Sequence, residues 1–317
     1  MPIRWGFLGA GWIATQAMAP AVHAAHSARL HAVASRSAGR SAALEPDVVH
    51  SSYDRLVEDP NVDAVYICLA NSQHLEWVVI ALEAGKHVLC EKPLGCDAGE
   101  ARRMADAAAH VERLLVEAVW TRWHPRFRRL AELSTSGALG ELISIDSAFT
   151  FPGQIDGNYR SDPTMGGGAL LDIGGYQVHA WAALTGGAHS ADVVQARAST
   201  GPSGVDLTTS VTAVVDGAIH ATALTSFEQD EAQHLLVHGS HDNAAMAIGP
   251  AFTAWREETT LKIGDREERF APVDAYQVMI EEVSAFIEGR GAWVVPISDS
   301  IRVAEIIDAI RSAARLP

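Results

Sequence analysis

The joint Gly9-Ala10-Gly11-Trp12-Ile13-Ala14 constrains the fold more than any other stretch of the chain. A short apolar run, "IRWGFLG", precedes it, and "GWIATQAMAPAVHAA", helical in composition, follows. Glycine spaced this way between a strand and a helix has a physical reading. Gly9 permits the tight turn, Gly11 lets a pyrophosphate approach the main chain, and Ala14 lets the helix lie close to the strand. The unbonded N–H groups at the helix start then face the anion. Glycines also serve ordinary turns, but strand before and helix after favour a dinucleotide site. Gly9, Gly11, Trp12 and Ile13 are therefore candidate cofactor-binding residues.

The alternation continues over the first third. "ARLHAVAS" (28–35), "DAVYICLA" (63–70), "KHVLCE" (86–91) and "RLLVEAVW" (113–120) read as strands. "SQHLEWVVIALEAG" reads as a helix with Ser72 as N-cap and Gly85 just past its end, and "DAGEARRMADAAAHVE" as one opened by Asp97. Strands alternating with helices predict a Rossmann-type doubly wound parallel sheet over residues 1–120. Such sheets bind ligands outside the carboxyl ends of their strands. Leu69, Asn71 and His74 follow one such end. Glu91 and Lys92, in "CEKPLG", follow another. Charges there are costly to bury and ordinary at a surface; over a dinucleotide, Lys92 would face the nicotinamide end. The second strand ends "ASRSAGR", with no carboxylate to hold ribose hydroxyls. Ser35, Arg36 and Arg40 suit a 2′-phosphate instead, so NADP is the expected cofactor, with NAD possible.

The pattern changes after Trp120. "ELISIDSAFTF", "DVVQARAST", "TSVTAVVD", "AIHATALTSF", "HLLVHGS" and "TLKIG" alternate, and Asp216-Gly217 signals a hairpin. Residues 121–317 are expected to form an α/β domain with a large, mostly antiparallel open sheet, closed by two helices, for substrate binding and oligomerisation. In "GGGALLDIGGYQVHAWAALTGG", Asp172, Tyr176 and His179 fall at i, i+4 and i+7. That spacing puts a carboxylate, a phenol and an imidazole on one helix stripe, a plausible acid/base set. Its interior glycines cost about 1 kcal/mol each relative to alanine, which points to close approach.

A formal charge of −15 argues against a nucleic-acid partner. Three cysteines, Cys68, Cys90 and Cys96, fit a reducing compartment. No leader pattern opens the chain and no apolar run would span a membrane, so a cytoplasmic protein without a membrane partner is expected. The 14 histidines are scattered, and no metal site is expected.

"GAGWIA", "EAGKHVLCEKPL" and "GGGALLDIGGYQVH", in this order, resemble the glucose-fructose oxidoreductase / inositol dehydrogenase / rhizopine-catabolism (Gfo/Idh/MocA) oxidoreductases over essentially the whole length. "LVEAVWTRWHPRF" looks most like the branch of dimeric dihydrodiol dehydrogenases and NADP-dependent sugar 1-dehydrogenases. The resemblance implies hydride transfer between nicotinamide and a hydroxyl or carbonyl carbon of a sugar, polyol or trans-diol. It implies that Lys92 is the E-K-P catalytic lysine and that Asp172 and Tyr176 match the D-x-x-x-[Y/H] pair. Whether Tyr176 or Lys92 accepts the proton stays open. Arg122, Lys92, Asp172, Tyr176 and His179 become substrate-binding candidates, and a homodimer or homotetramer through the C-terminal sheet is implied. The alternative is a catalytically silent sugar or dinucleotide sensor on the same fold, against which the retained lysine counts.

Overall fold

Six short strands, β1 (Ile3–Leu8), β2 (Ala28–Ala34), β3 (Val48–His50), β4 (Ala64–Ile67), β5 (His87–Cys90) and β6 (Leu115–Glu117), pair in parallel in the order β3-β2-β1-β4-β5-β6. The computed structural model describes residues 1–153, 155, 157–187 and 190–316. All four residues of β4 are buried, as a central strand covered on both faces requires. β3 was not expected. Val48 and His50 are half-buried and Val49 is exposed, and three residues are too few for a period to register. The crossover helices are α1 (Ala19–Ala24), α2 (Ala38–Ala42), α3 (Tyr53–Val57), α4 (His74–Glu83) and α5 (Ala98–His110). A π turn, Ala14–Met18, precedes α1. The expected Ser72 cap does not form: a 3-10 turn, Asn71–Gln73, intervenes, and α4 starts after Gln73 without a side-chain cap bond. Gly85 takes φ +80° just past the end of α4, the left-handed residue that a helix stop calls for.

Eight strands build a second sheet: β7 (Leu142–Thr150), β8 (Ala191–Thr200), β9 (Asp206–Val215), β10 (Ile219–Ser226), β11 (Ala232–Gly239), β12 (Asn243–Met246), β13 (Thr259–Ile263) and β14 (Arg266–Phe270). Their order is β14-β13-β12-β11-β7-β10-β9-β8, antiparallel except for the β7–β10 pair. β9 shows the alternation well: Val211, Ala213 and Val215 are buried, while Ser210 on the opposite face is exposed. Asp216 (φ +49°) and Gly217 (φ +74°) turn β9 into β10, with both central residues at positive φ as a two-residue hairpin prefers. Helices α6 (Pro125–Thr135) and α7 (Gly175–Leu184) belong to this unit. Every residue of α7 is buried. Gln177 fixes it to the sheet, donating to Ser147 Oγ and the Leu224 carbonyl (both 3.2 Å) and accepting from Thr225 Oγ1 (2.6 Å). The close-approach reading holds for Gly174, where a Cβ would meet Leu170 at 2.9 Å and Thr225 Oγ1 at 3.2 Å. It does not hold for Gly175, which has open space there.

The two sheets belong to separate units. The first comprises Met1–Gly95, Gly99–Trp120 and Asp274–Ile297; the second comprises Cys96–Ala98, Thr121–Val273 and the chain from Ser298 on. Helix α8 (Ala275–Ile287) thus joins the first unit, though the sequence reading groups it with residues 121–317, whereas α9 (Ile297–Ala314) lies almost wholly in the second. Within the first unit, Trp5 Nε1 donates to Ser284 Oγ at 3.1 Å in the buried interior, and Tyr276 stacks on Trp120 with centroids 5.6 Å apart. An amphipathic period announces that a helix has an apolar face, but not which sheet that face will cover. Among the described residues, no helix is long and apolar enough to cross a membrane.

Candidate active site

In the first unit, the candidate cofactor residues gather at the carboxyl ends of β1, β2, β4 and β5. Gly9 has φ +103°, and a Cβ there would lie 2.3 Å from the Cys68 carbonyl oxygen, so the sheet itself demands glycine. Gly11 differs: a Cβ would meet only Cys68 Sγ, at an ordinary 3.6 Å. Its missing side chain therefore leaves room for something outside the protein. Trp12 beside it is 66% exposed, and Ile13 is half-buried. Past β2, Ser35 Oγ is occupied with the loop itself, donating to the Ser37 carbonyl (2.8 Å) and bonding Ser41 Oγ (2.8 Å). Arg36 and Arg40 are exposed, and among the described residues no acidic side chain pairs with either. Two uncommitted guanidiniums and a glycine turn fit a dinucleotide that carries an extra phosphate. Tyr53 joins them. Burial raises its pKa, while Arg36 and Arg40 pull it back, and its ring meets Trp77 edge-on at 5.0 Å. No motif flags Tyr53 in the sequence; only folding brings it to the arginines.

The "CEKPLG" turn is held at several points without using the lysine amine. Tyr66 donates its hydroxyl to Glu91 Oε1 at 2.6 Å in the buried interior. The Leu94 N–H donates to Glu117 Oε1 at 3.0 Å. His74 places Nδ1 2.9 Å from the Pro93 carbonyl and Nε2 3.3 Å from the Leu69 carbonyl. Burial pushes the His74 pKa down, and burial followed by Glu91 pushes Tyr66 well up. The Cys68 thiol, just past the end of β4, is raised to about 12 by burial and then by Glu91. His74 is 0% exposed and braces the turn from behind. Asn71 is buried at the start of the 3-10 turn, and Leu69 is half-buried. Lys92 itself is partly exposed, and its peptide to Pro93 is cis. Hydrogen bonds to charged groups contribute about 1.5–3 kcal/mol each, so this strand end is a rigid mount and not a loose solvated terminus.

In the second unit, the helix bearing Asp172, Tyr176 and His179 is not uniformly α. Leu170–Gly174 form a π turn, so Asp172 lies in the wider turn and the other two lie in α7; π turns of this kind recur at functional sites. Asp206 supports its start, with Oδ2 accepting from the Leu170 N–H (2.8 Å) and Thr209 Oγ1 (2.9 Å). Burial raises the Asp206 pKa against those bonds. Gly168 has φ +112°, and a Cβ there would strike Asp206 Oδ1 at 2.1 Å.

Asp172 is 4% exposed and accepts from Arg160 Nε at 2.6 Å and from the Tyr159 hydroxyl at 3.4 Å. Burial opposes the Arg160 charge, but Asp172 outweighs it and the guanidinium pKa stands above its usual value. The same charge reaches Tyr176, so it attracts the phenol oxygen as that oxygen loses its proton. The Tyr176 ring lies 6.0 Å from Phe149 and 6.4 Å from Phe252, which stack on each other at 5.4 Å. An ion pair beside a phenol in an aromatic wall can stabilise negative charge on a substrate oxygen and carry a proton. Arg160 had no sequence signal, because it sits in a loop twelve residues before Asp172 with no motif around it. His179 is buried one turn beyond Tyr176, and Arg122 is buried with Nη2 donating to Asp299 Oδ2 at 3.1 Å. That ion pair gives Arg122 a packing duty that the sequence reading did not foresee.

Comparison with known proteins adds three findings. The family described as "Oxidoreductase family, NAD-binding Rossmann fold" matches residues 3–118, and the "GFO/IDH/MocA C-terminal domain" matches residues 127–244. D-xylose 1-dehydrogenase (NADP(+)) 2 from Haloferax volcanii is 34% identical over 98% of this chain and 97% of its own, and trans-1,2-dihydrobenzene-1,2-diol dehydrogenase from Mus musculus is 30% identical over 99% and 97%. A 3-ketoreductase from Actinomadura kijaniata, solved in complex with NADP and TDP-benzene, superposes with a TM-score of 0.89 at 30% identity, covering 99% of this chain and 98% of that one.

Proposed function

The chain belongs to the Gfo/Idh/MocA oxidoreductase family, and from that premise we propose how its residues divide the reaction. It is an NADP(H)-dependent oxidoreductase acting on CH–OH groups. The observation that carries the assignment of residues is the gathering of the glycine turn, Arg36, Arg40 and the braced Lys92 turn at one edge of the parallel sheet, the edge where such sheets bind ligands. When bound, the nicotinamide supplies hydride transfer at its C4 carbon. Gly9 and Gly11 would admit the pyrophosphate, and Arg36 with Arg40 would hold the 2′-phosphate. Lys92 would hydrogen-bond the reacting oxygen and exchange its proton in relay with Tyr176. Tyr176 would pass the proton, with Arg160 steadying its phenolate, and Asp172 would hold a substrate hydroxyl while keeping Arg160 in place. The aromatic wall of Phe149 and Phe252 suits the apolar face of a sugar ring or a cyclic diol. We propose an aldose or trans-diol as substrate. The test is a screen of aldoses, polyols and trans-diols with NADP⁺, followed by NADPH absorbance. Turnover with an aldose or diol is expected; none with any member of the panel overturns this reading.

Arg36→Ala should weaken NADP(H) by roughly 1.5–3 kcal/mol, the scale of one lost charge-assisted bond, and leave NAD(H) almost unchanged. Direct titration of both cofactors checks this, and equal losses would remove Arg36 from the phosphate site.

We also propose that subunits pair through the sheet face turned away from α7. Val194 is 66% exposed, and Ser210, His220 and His238 are exposed on strands whose alternate residues are buried. Sedimentation at micromolar concentration should show a dimer or larger; a monomer refutes it.

A further inference from the structure

A cavity of ≈ 240 Å³ in the second unit is lined by the first turn of α6 and by the segment around Pro250, Ala254 and Thr259. Its most unusual wall is Arg126, 1% exposed. Arg126 Nη2 donates to the carbonyls of Pro250 (2.7 Å) and Ala251 (3.4 Å). Nε and Nη1 are buried and have no hydrogen-bond partner, and among the described residues no carboxylate pairs with the guanidinium. Burial lowers its pKa to about 10, which still leaves it charged at neutral pH. Thr259 Oγ1, on the same wall and also buried, has no partner either. A buried cation without a counter-charge, next to an unsatisfied hydroxyl, is costly unless something fills the space.

We propose that this cavity binds a small monocarboxylate, whose oxygens accept from Arg126 and from the Thr259 hydroxyl. Guanidinium matches carboxylate in shape and charge. Pro250 and Ala254 supply an apolar wall for a short alkyl chain. The exposed Glu257 and Glu258 also line the cavity, and their charge disfavours a multiply charged anion such as phosphate. The segment that Arg126 fastens leads directly into Phe252, whose ring packs on Phe149 and Tyr176.

The test is isothermal titration calorimetry on the NADP-loaded protein at constant ionic strength, with butyrate as probe and inorganic phosphate as contrast. Saturating NADP keeps the dinucleotide's own phosphate site filled. Saturable butyrate binding is expected, with phosphate weaker. Thr259→Val, nearly isosteric, should weaken butyrate about fivefold, and Arg126→Gln at least about tenfold, the losses of a neutral and of a charge-assisted hydrogen bond. Should Arg126→Gln not fold, Thr259→Val still decides, together with Glu257→Gln, which should tighten phosphate. No saturable heat, phosphate binding tighter than butyrate, or unchanged butyrate affinity in Thr259→Val overturns the proposal and leaves Arg126 as a hydrated clamp on residues 250–251.

Discussion

Lys92→Ala is expected to keep NADPH affinity within a few-fold of the parent and to lower turnover by about a hundredfold or more, the usual scale for losing a positioned proton-transfer group. The two halves of that result come from different parts of the structure. The turn carrying Lys92 is fixed by Tyr66 on Glu91, by His74 on the Pro93 carbonyl and by Glu117 on the Leu94 N–H. Each of these three bonds joins groups other than the Lys92 side chain, so they remain when it is truncated. The phosphate-holding candidates, Arg36 and Arg40, lie past a different strand. Lys92→Arg should not restore activity, because a guanidinium keeps its proton at working pH. Cofactor affinity by fluorescence and turnover on a substrate from the screen are to be measured in parallel. Near-parent turnover in Lys92→Ala would reduce the residue to a charged strand end.

Tyr176→Phe should lower turnover by about 10²–10⁴ with little change in fold. Phenylalanine keeps the ring that packs on Phe149 and Phe252 and removes only the hydroxyl. The loss should fall mainly on kcat, since the aromatic wall still receives the substrate. If the loss falls on KM alone, Tyr176 binds substrate and moves no proton, and Lys92 is left as the proton acceptor.

Both variants also separate what was legible in the sequence from what was not. Lys92 and Tyr176 could be singled out by reading alone, because each sits in a local pattern: a charged pair ending a buried strand, and a polar stripe on a glycine-flanked helix. Arg160, the ion-pair partner of Asp172, could not. Its loop has no period, and its position depends on how that loop folds back onto the start of the helix that follows it. Tyr53 and Glu117 were hidden for the same reason. His74 sets its ring nitrogens by the Pro93 and Leu69 carbonyls and Arg122 pairs with Asp299, contacts that no spacing in the sequence encodes.

The sequence by itself determined the two sheet types, the Gly9 turn, the Asp216-Gly217 hairpin and the helix stop at Gly85, because each follows from the dihedral freedom or burial period of a few adjacent residues. Tertiary structure alone decided that α8 covers the first sheet, that Asp172 lies in a π turn before α7, and that Arg126 is buried without a counter-charge. These outcomes rest on contacts between residues far apart in the chain, and no local pattern of propensity or spacing encodes which distant surface a side chain will meet.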